Sequence, residues 1–151
     1  MDALPDELAP SLVDHLITQL RTYSVGMRID GSMRSEFPDL VDEQDASARA
    51  QLAQNEASLD PGIRAKFPRP LVDANTSMNA AFARFWANLL GEPRYAVPFD
   101  ALGYSDVAAD LCDSLGKVPD SPERDRELIS AWADRLHLNQ YFHFQQHSLD
   151  D

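Results

Sequence analysis

Two histidines near the end of the sequence have a spacing that could hold a metal ion. His143 and His147 are four residues apart, so on a helix both imidazoles would lie on one face. His137, Asp150 or Asp151 could supply further ligands. The glutamate of an HExxH motif is absent between the two histidines, and such a pair also fits a solvated helix end. A divalent metal site at His143 and His147 is therefore one hypothesis, beside a structural or solvated role.

Three aspartates could form an acidic surface. Asp106, Asp110 and Asp113 follow one another at helical spacing, and charged residues normally cover the outer face of an amphipathic helix. The repulsion between like charges at this spacing is only a few tenths of a kcal/mol. We expect either a solvated helix face or a docking surface for a basic protein. The apolar residues between them predict the inward face of the same helix: Val107, Leu111 and Leu115.

An aromatic cluster stands close to the histidine pair. Tyr141, Phe142 and Phe144 lie within four positions of one another. Clusters of this kind usually pack into a core. If part of the cluster stays exposed, it would instead form a contact site for a partner.

The region around Gly26 and Gly31 is locally basic and contains a serine, Ser32. It lacks the lysine of a phosphate-binding loop, and no strand leads into it. Arg28 and Arg34 could still hold an anion. A surface loop is the expectation that we favour here.

The densest group of basic residues comprises Arg64, Lys66 and Arg69. Nucleic-acid binding normally needs a basic patch on a basic domain. This chain carries a formal net charge of −12. We therefore expect these three residues to form internal salt bridges.

The motifs of common enzyme classes are absent. The sequence contains no GxSxG, GxGxxG or HExxH, although a Ser–His–Asp group assembled in space would leave no such signature. Cys112 is the only cysteine, which excludes an intramolecular disulfide and a cysteine-based zinc site. These residues also match no family that we can identify. A protein that is not an enzyme and carries no cofactor is the expectation.

The acidity belongs to the whole chain. Residues 1–75 and residues 76–151 each carry −6. Such a field repels nucleic acids and anionic lipid, and it favours cationic partners or keeps a protein soluble. No apolar run is long enough to span a membrane, and the first residues lack the features of a signal peptide. We expect a cytoplasmic protein without nucleic-acid or membrane partners.

Helical spacing of apolar residues predicts an all-α fold of about five helices in one domain, residues 1–151. The first helix reaches Tyr23, and the segment 26–36 is predicted as an irregular loop, with a short β-hairpin as the alternative. A second helix covers 39–59 and has a thin apolar stripe. The third, from Asn75 or Thr76 to Leu90, has a wide aromatic face and should be central.

Two more helices follow a connecting segment at 92–103, in which part of the chain could be extended. The fourth covers 105–116. The fifth begins near Pro122, a residue favoured in the first turn of a helix, and it ends at Leu138 or continues to His147. The first and last helices should pack against the central one.

Size, spread acidity and missing catalytic motifs favour a small acidic binding module that docks a basic protein. Immunity proteins, antitoxins, secretion chaperones and charge-mimicking inhibitors share this size and acidity. Two alternatives stay open. One is a non-catalytic subunit of a larger enzyme, and the other is an enzyme that binds a metal or small molecule through His143 and His147 or in a pocket beside Tyr104.

Overall fold

The computed structural model describes residues 9–118 and 121–138, and their side chains from residue 13 onward. Within these ranges the chain forms seven α-helices and three 3-10 turns, and no strand. The predicted all-α class is confirmed, whereas the count of five helices is not. The helices are α1 Ala9–Glu36, α2 Val41–Ala57, α3 Pro61–Arg64, α4 Arg69–Leu90, α5 Val97–Ala101, α6 Ser105–Lys117 and α7 Asp125–Arg135.

Helix α4 lies at the centre, as the width of its apolar face predicts. It packs against α1, α2 and α6, and Met78, Ala81 and Ala83 on it are fully buried. The helix ends at Gly91, whose φ of 69° is left-handed and carries no steric cost without a Cβ. It begins earlier than predicted, at Arg69, because Pro70 occupies the first turn, where a missing N–H does no harm.

The predicted loop at 26–36 is wrong, and the hairpin alternative is not confirmed, because α1 runs without interruption to Glu36. A Cβ at Gly26 would meet nothing within 4 Å, and one at Gly31 would meet only the Phe85 ring at 3.7 Å. Both glycines therefore sit in ordinary helical positions. Each costs the helix about 1 kcal/mol relative to alanine, and the burial of Met27 on the same helix offsets that cost.

Helix α7 corrects a second expectation. The last helix was expected to pack against the central helix α4, but its main neighbours are α1 and α6. Leu128 and Trp132 fill the space between these helices. The guanidinium of Arg28 on α1 contacts the carboxylate of Asp125 at the start of α7. The two ends of the described chain are therefore joined by a buried contact and an ion pair.

Helix α2 is attached more loosely. Its buried residues are Ala48, Leu52 and Asn55. Only Leu52 belongs to the apolar stripe predicted there, whose other members are exposed or half-buried: Leu40, Val41, Ala53 and Leu59. A 3-10 turn at Pro38–Leu40 joins α2 to α1. A second turn, Pro93–Tyr95, and the short helix α5 replace the extended segment expected between 92 and 103. No helix among the described residues has the length and apolar character needed to cross a membrane.

Candidate functional site

A cavity of about 520 Å³ opens between α1 and α2, with α4 beneath it. We call it the groove. The second half of α1 forms one wall, and the turn Pro38–Leu40 with the first half of α2 forms the other. It exists because α2 has only a thin apolar stripe and packs on α4 without closing against α1.

The base of the groove is apolar and aromatic. Met27 and Trp86 are 1% exposed, and Phe82 is also buried. The Phe82 ring lies 4.9 Å from that of Tyr23, centroid to centroid. At the rim stand Phe37 and Leu40, which are 51% and 46% exposed. Full burial of an exposed side chain of this size gives about 1.5–3 kcal/mol, so covering these half-exposed side chains with another molecule would stabilise a complex by about 1 kcal/mol each.

The charge of the groove is negative. Asp30 and Glu43 line it, and no cationic side chain does among the described residues. The surrounding segment 29–45 contains six acids and one base, so it carries −5 of the total charge of −12. The groove thus combines an apolar base with a concentrated negative field, which attracts cations.

Burial disfavours the ionised form of one of these carboxyl groups, Asp30. It raises the pKa of Asp30 above its usual value of 3.8, while a hydrogen bond with Gln44 opposes the rise. The amide of Gln44 also donates to the backbone oxygen of Asp30 at 2.9 Å. A cation placed beside Asp30 would stabilise its ionised form.

Arg34 links α1 to α2 and to Trp86 through its guanidinium group. Its guanidinium pairs with Asp45 and donates to Oε1 of Gln44 at 3.0 Å. It also lies over Trp86, with 5.8 Å from Cζ to the ring centroid. Stacking of a guanidinium on a tryptophan face is favourable, and here it ties α1 to α2.

Trp86 has a buried hydrogen-bond donor without an acceptor among the described residues. Its indole Nε1–H is buried and finds no acceptor in the described part of the chain. A buried donor left without a partner costs about 1–3 kcal/mol. An occupant of the groove that carries an acceptor could remove that cost.

The acidic stripe on α6 lies elsewhere. Asp106, Asp110 and Asp113 are exposed, and α6 contributes no residue to the groove lining. Asp110 Oδ2 accepts a hydrogen bond from Arg135 Nε at 2.7 Å, which offsets part of the charge. Docking at the stripe stays a prediction.

The predicted C-terminal sites fall outside the described residues. This holds for the metal pair His143 and His147 and for the aromatic cluster Tyr141, Phe142 and Phe144. Across residues 9–118 and 121–138 no group of three or more His, Cys, Asp or Glu side chains could hold a metal ion.

Four of the basic residues considered above have partners within the chain. Arg28 and Arg34, considered for anion binding, form ion pairs with Asp125 and Asp45. Of the group expected in salt bridges, Arg69 pairs with Asp73, whereas Arg64 donates to the hydroxyl of a tyrosine.

Cys112 packs as a small apolar residue. Burial raises the pKa of its thiol to about 11, and the Sγ–H donates to the backbone oxygen of Ala81 at 3.4 Å. A thiol in this state is a poor nucleophile at neutral pH.

Comparisons with models of known protein families, with curated proteins and with solved structures found no match for this chain. The function must therefore be inferred from the geometry of the groove.

One local signal for the groove was present in the sequence. Between Glu36 and Asp45, apolar residues alternate with acids. Phe37 and Leu40 in this segment proved to be among the most exposed apolar residues that the structure describes. Helical spacing predicts only a thin apolar stripe from Leu40 onward, and this spacing carries no sign that the side chains are exposed.

Proposed function

We propose that this protein is an acidic binding module that docks a basic, amphipathic helical segment of another protein in the groove. The observation that supports this most is the pairing of an exposed apolar rim, Phe37 and Leu40, with a lining that contains carboxylates and, among the described residues, no cation. An amphipathic basic helix presents the complementary pattern, with apolar anchors on one face and cations beside them.

The volume of the groove fits anchors, not a whole helix. Pockets of about 300–1,000 Å³ hold compact ligands, and the groove measures about 520 Å³. A helix is about 10–12 Å across, so it would lie over the rim and insert side chains. Anchor side chains at positions i, i+4 and i+7 of that helix would contact Phe37 and Leu40 at the rim and reach toward Trp86 at the base.

The carboxylates would act mainly on the rate and selectivity of association. Asp30 and Glu43 lie in the lining, where a positive partner is steered inward and a negative one is rejected. This attraction weakens as salt is added. A second copy of this chain would bring another −12 to the same surface, so a basic partner is the occupant that charge favours.

A model peptide tests the proposal on the full chain. The probe is a Leu/Lys amphipathic peptide of about 18 residues, which is above the roughly 12–15 residues below which an isolated helix is marginal in water. Its control is the Leu/Glu peptide of the same pattern. Calorimetry should give a dissociation constant on the order of micromolar for the basic peptide at low salt. Binding should weaken at high salt, and the acidic peptide should not bind.

Substitutions at the rim locate the binding. Phe37→Ser with Leu40→Ser should weaken binding of the basic peptide at least about tenfold, because the peptide's anchor side chains lose two apolar contacts at the rim. Val97→Ser is the matched control, since Val97 is 59% exposed and does not line the groove. Equal affinity of the rim variant and the control would contradict the proposal, as would self-association of the chain that the rim variant abolishes.

A further inference from the structure

A second cavity, of about 660 Å³, lies between the first half of α4, the turn before α6 and the end of α7. It shares no lining residue with the groove. Tyr104 forms part of its wall. We call it the Tyr104 cavity.

Hydrogen bonds hold the wall of this cavity in place. Tyr104 Oη donates to Asp73 Oδ1 at 2.8 Å and accepts from Arg64 Nη2 at 2.6 Å. The pKa of Tyr104 is raised, first by burial and then by Asp73. The phenol therefore stays protonated at neutral pH. These three residues come from α3, α4 and the start of α6, so the network joins three parts of the fold.

Two arginines in the lining of the cavity, Arg69 and Arg135, have N–H donors that make no hydrogen bond to the described residues. Arg69 pairs with Asp73 through Nε at 3.2 Å, and Arg135 pairs with Asp110 through Nε at 2.7 Å. A guanidinium carries five N–H donors, and these pairs use only one in each case. Within the described residues the terminal N–H groups are left for another acceptor. Of the three charged residues in the lining, two are cationic, which is the reverse of the groove.

His137 occupies a strained position on the same cavity. Its φ is 59°, a left-handed conformation. The Leu138 N–H donates to the Ala133 carbonyl at 2.9 Å, which closes the end of α7 around this residue. Glycine normally fills such a position, and a side chain there costs about 1–2 kcal/mol. Strain of this kind tends to occur at functional sites, and here it places an imidazole in the cavity lining.

We propose that the Tyr104 cavity binds a small organic anion, a carboxylate attached to an apolar body. The carboxylate contacts the terminal N–H groups of Arg69 and Arg135, with His137 as a further hydrogen-bonding group. The apolar body packs on Leu71, Leu102 and Val107, which line the same space. This inference does not rest on the docking function of the groove.

Four probes test the chemistry on the full chain by NMR titration. They are benzoate, its neutral analogue benzamide, the cation benzylammonium and inorganic phosphate. Benzoate should bind with a dissociation constant on the order of millimolar, because a ligand of this size has few contacts. Benzamide and benzylammonium should bind at least about tenfold more weakly, since the arginines select an anion. Phosphate should also bind more weakly, because it lacks the apolar body.

Variants locate the site. Arg69→Gln with Arg135→Gln should weaken benzoate at least about tenfold, whereas Arg94→Gln, an exposed arginine outside the cavity lining, should not change it. His137→Gly should weaken benzoate about threefold or more while leaving the thermal midpoint unchanged or higher, because glycine relieves the strain. Equal binding of benzamide and benzoate would overturn the proposal. Unchanged benzoate affinity in the double variant would overturn it as well.

Discussion

The two tryptophans occupy opposite kinds of environment. Trp132 is 0% exposed, and its indole N–H donates to the Leu111 carbonyl at 3.1 Å and to Ser114 Oγ at 2.8 Å. Trp86 is 1% exposed, yet its N–H has no acceptor among the described residues. Trp132 belongs to the closed core between α6 and α7. Trp86 lies at the base of the groove, where packing within the chain is incomplete.

The charges differ in the same way. On the closed side, Arg28 pairs with Asp125, and this pair ties α1 to α7. On the groove side, Asp30 is partly buried and its pKa is raised by that burial. The core between α6 and α7 satisfies the N–H of its own tryptophan, whereas the groove has apolar and charged groups that a second molecule could satisfy.

The tryptophans allow the sharpest test of this difference. Trp132→Phe should lower the free energy of unfolding by about 3 kcal/mol, because it removes the N–H donor that two acceptors share and part of a packed ring. Trp86→Phe should cost about 1 kcal/mol, since it removes no hydrogen bond. Urea unfolding measures both values. Equal losses would mean that the two environments are alike.

The ion pairs give a second and smaller contrast. Asp125→Asn should lower the free energy of unfolding by about 2 kcal/mol, because the nearly buried guanidinium of Arg28 loses the charge of the Asp125 carboxylate. Asp45→Asn should cost about 1 kcal/mol, since Arg34 keeps Gln44 and the face of Trp86. Chemical unfolding at neutral pH measures both. A larger loss for Asp45→Asn would contradict the account.

Glycine substitutions test the helix at 26–36. Gly26→Ala should raise the free energy of unfolding by about 0.5–1 kcal/mol, because nothing within 4 Å opposes the methyl group and helical alanine is favoured. Gly116→Ala in α6 is the matched control and should give a similar gain. Because Gly26 lines the groove and Gly116 does not, only the first should alter peptide binding. A loss of stability in Gly26→Ala would favour a loop.

The smallest effect concerns Asp30 and pH. Because the pKa of Asp30 is raised in the folded chain, the carboxyl group loses its proton at a lower pH in the unfolded chain than in the folded one. The free energy of unfolding therefore falls as the pH rises above about 3.8. Asp30→Asn should therefore be more stable than the parent at pH 7 by a few tenths of a kcal/mol, since solvent screens a half-buried carboxyl. The difference should vanish below the ordinary pKa of Asp. Thermal unfolding over this pH range checks the sign, and a less stable variant at pH 7 would contradict it.

Local patterns predicted the elements that local forces determine. The wide apolar face predicted the central helix, which ends at Gly91. The cap of α3 is equally local, because the Asp60 side chain accepts hydrogen bonds from the N–H groups of Gly62 and Ile63. The prediction of a loop at 26–36 was wrong because the glycines there are local loop signals, whereas the contacts that stabilise this part of α1 come from distant residues. Arg28 meets Asp125, which lies 97 residues further along the chain.

The sites were harder to predict for the same reason. The groove combines residues from Thr22 to Trp86, and no spacing rule connects them. The Tyr104 cavity had one sequence-based indication, Tyr104 itself. The partners of that residue, Arg64 and Asp73, lie 40 and 31 positions away, so only the folded chain reveals the network.

The central claim is that the groove over Trp86 docks the basic segment, and the two indole N–H signals in a ¹⁵N-correlation spectrum test it most directly. Titration with the Leu/Lys peptide should shift the Trp86 signal and leave the Trp132 signal in place. Phe37→Ser with Leu40→Ser should abolish the shift at the same peptide concentration. A saturable binding curve with a stationary Trp86 signal, or with the Trp132 signal moving instead, would contradict the account.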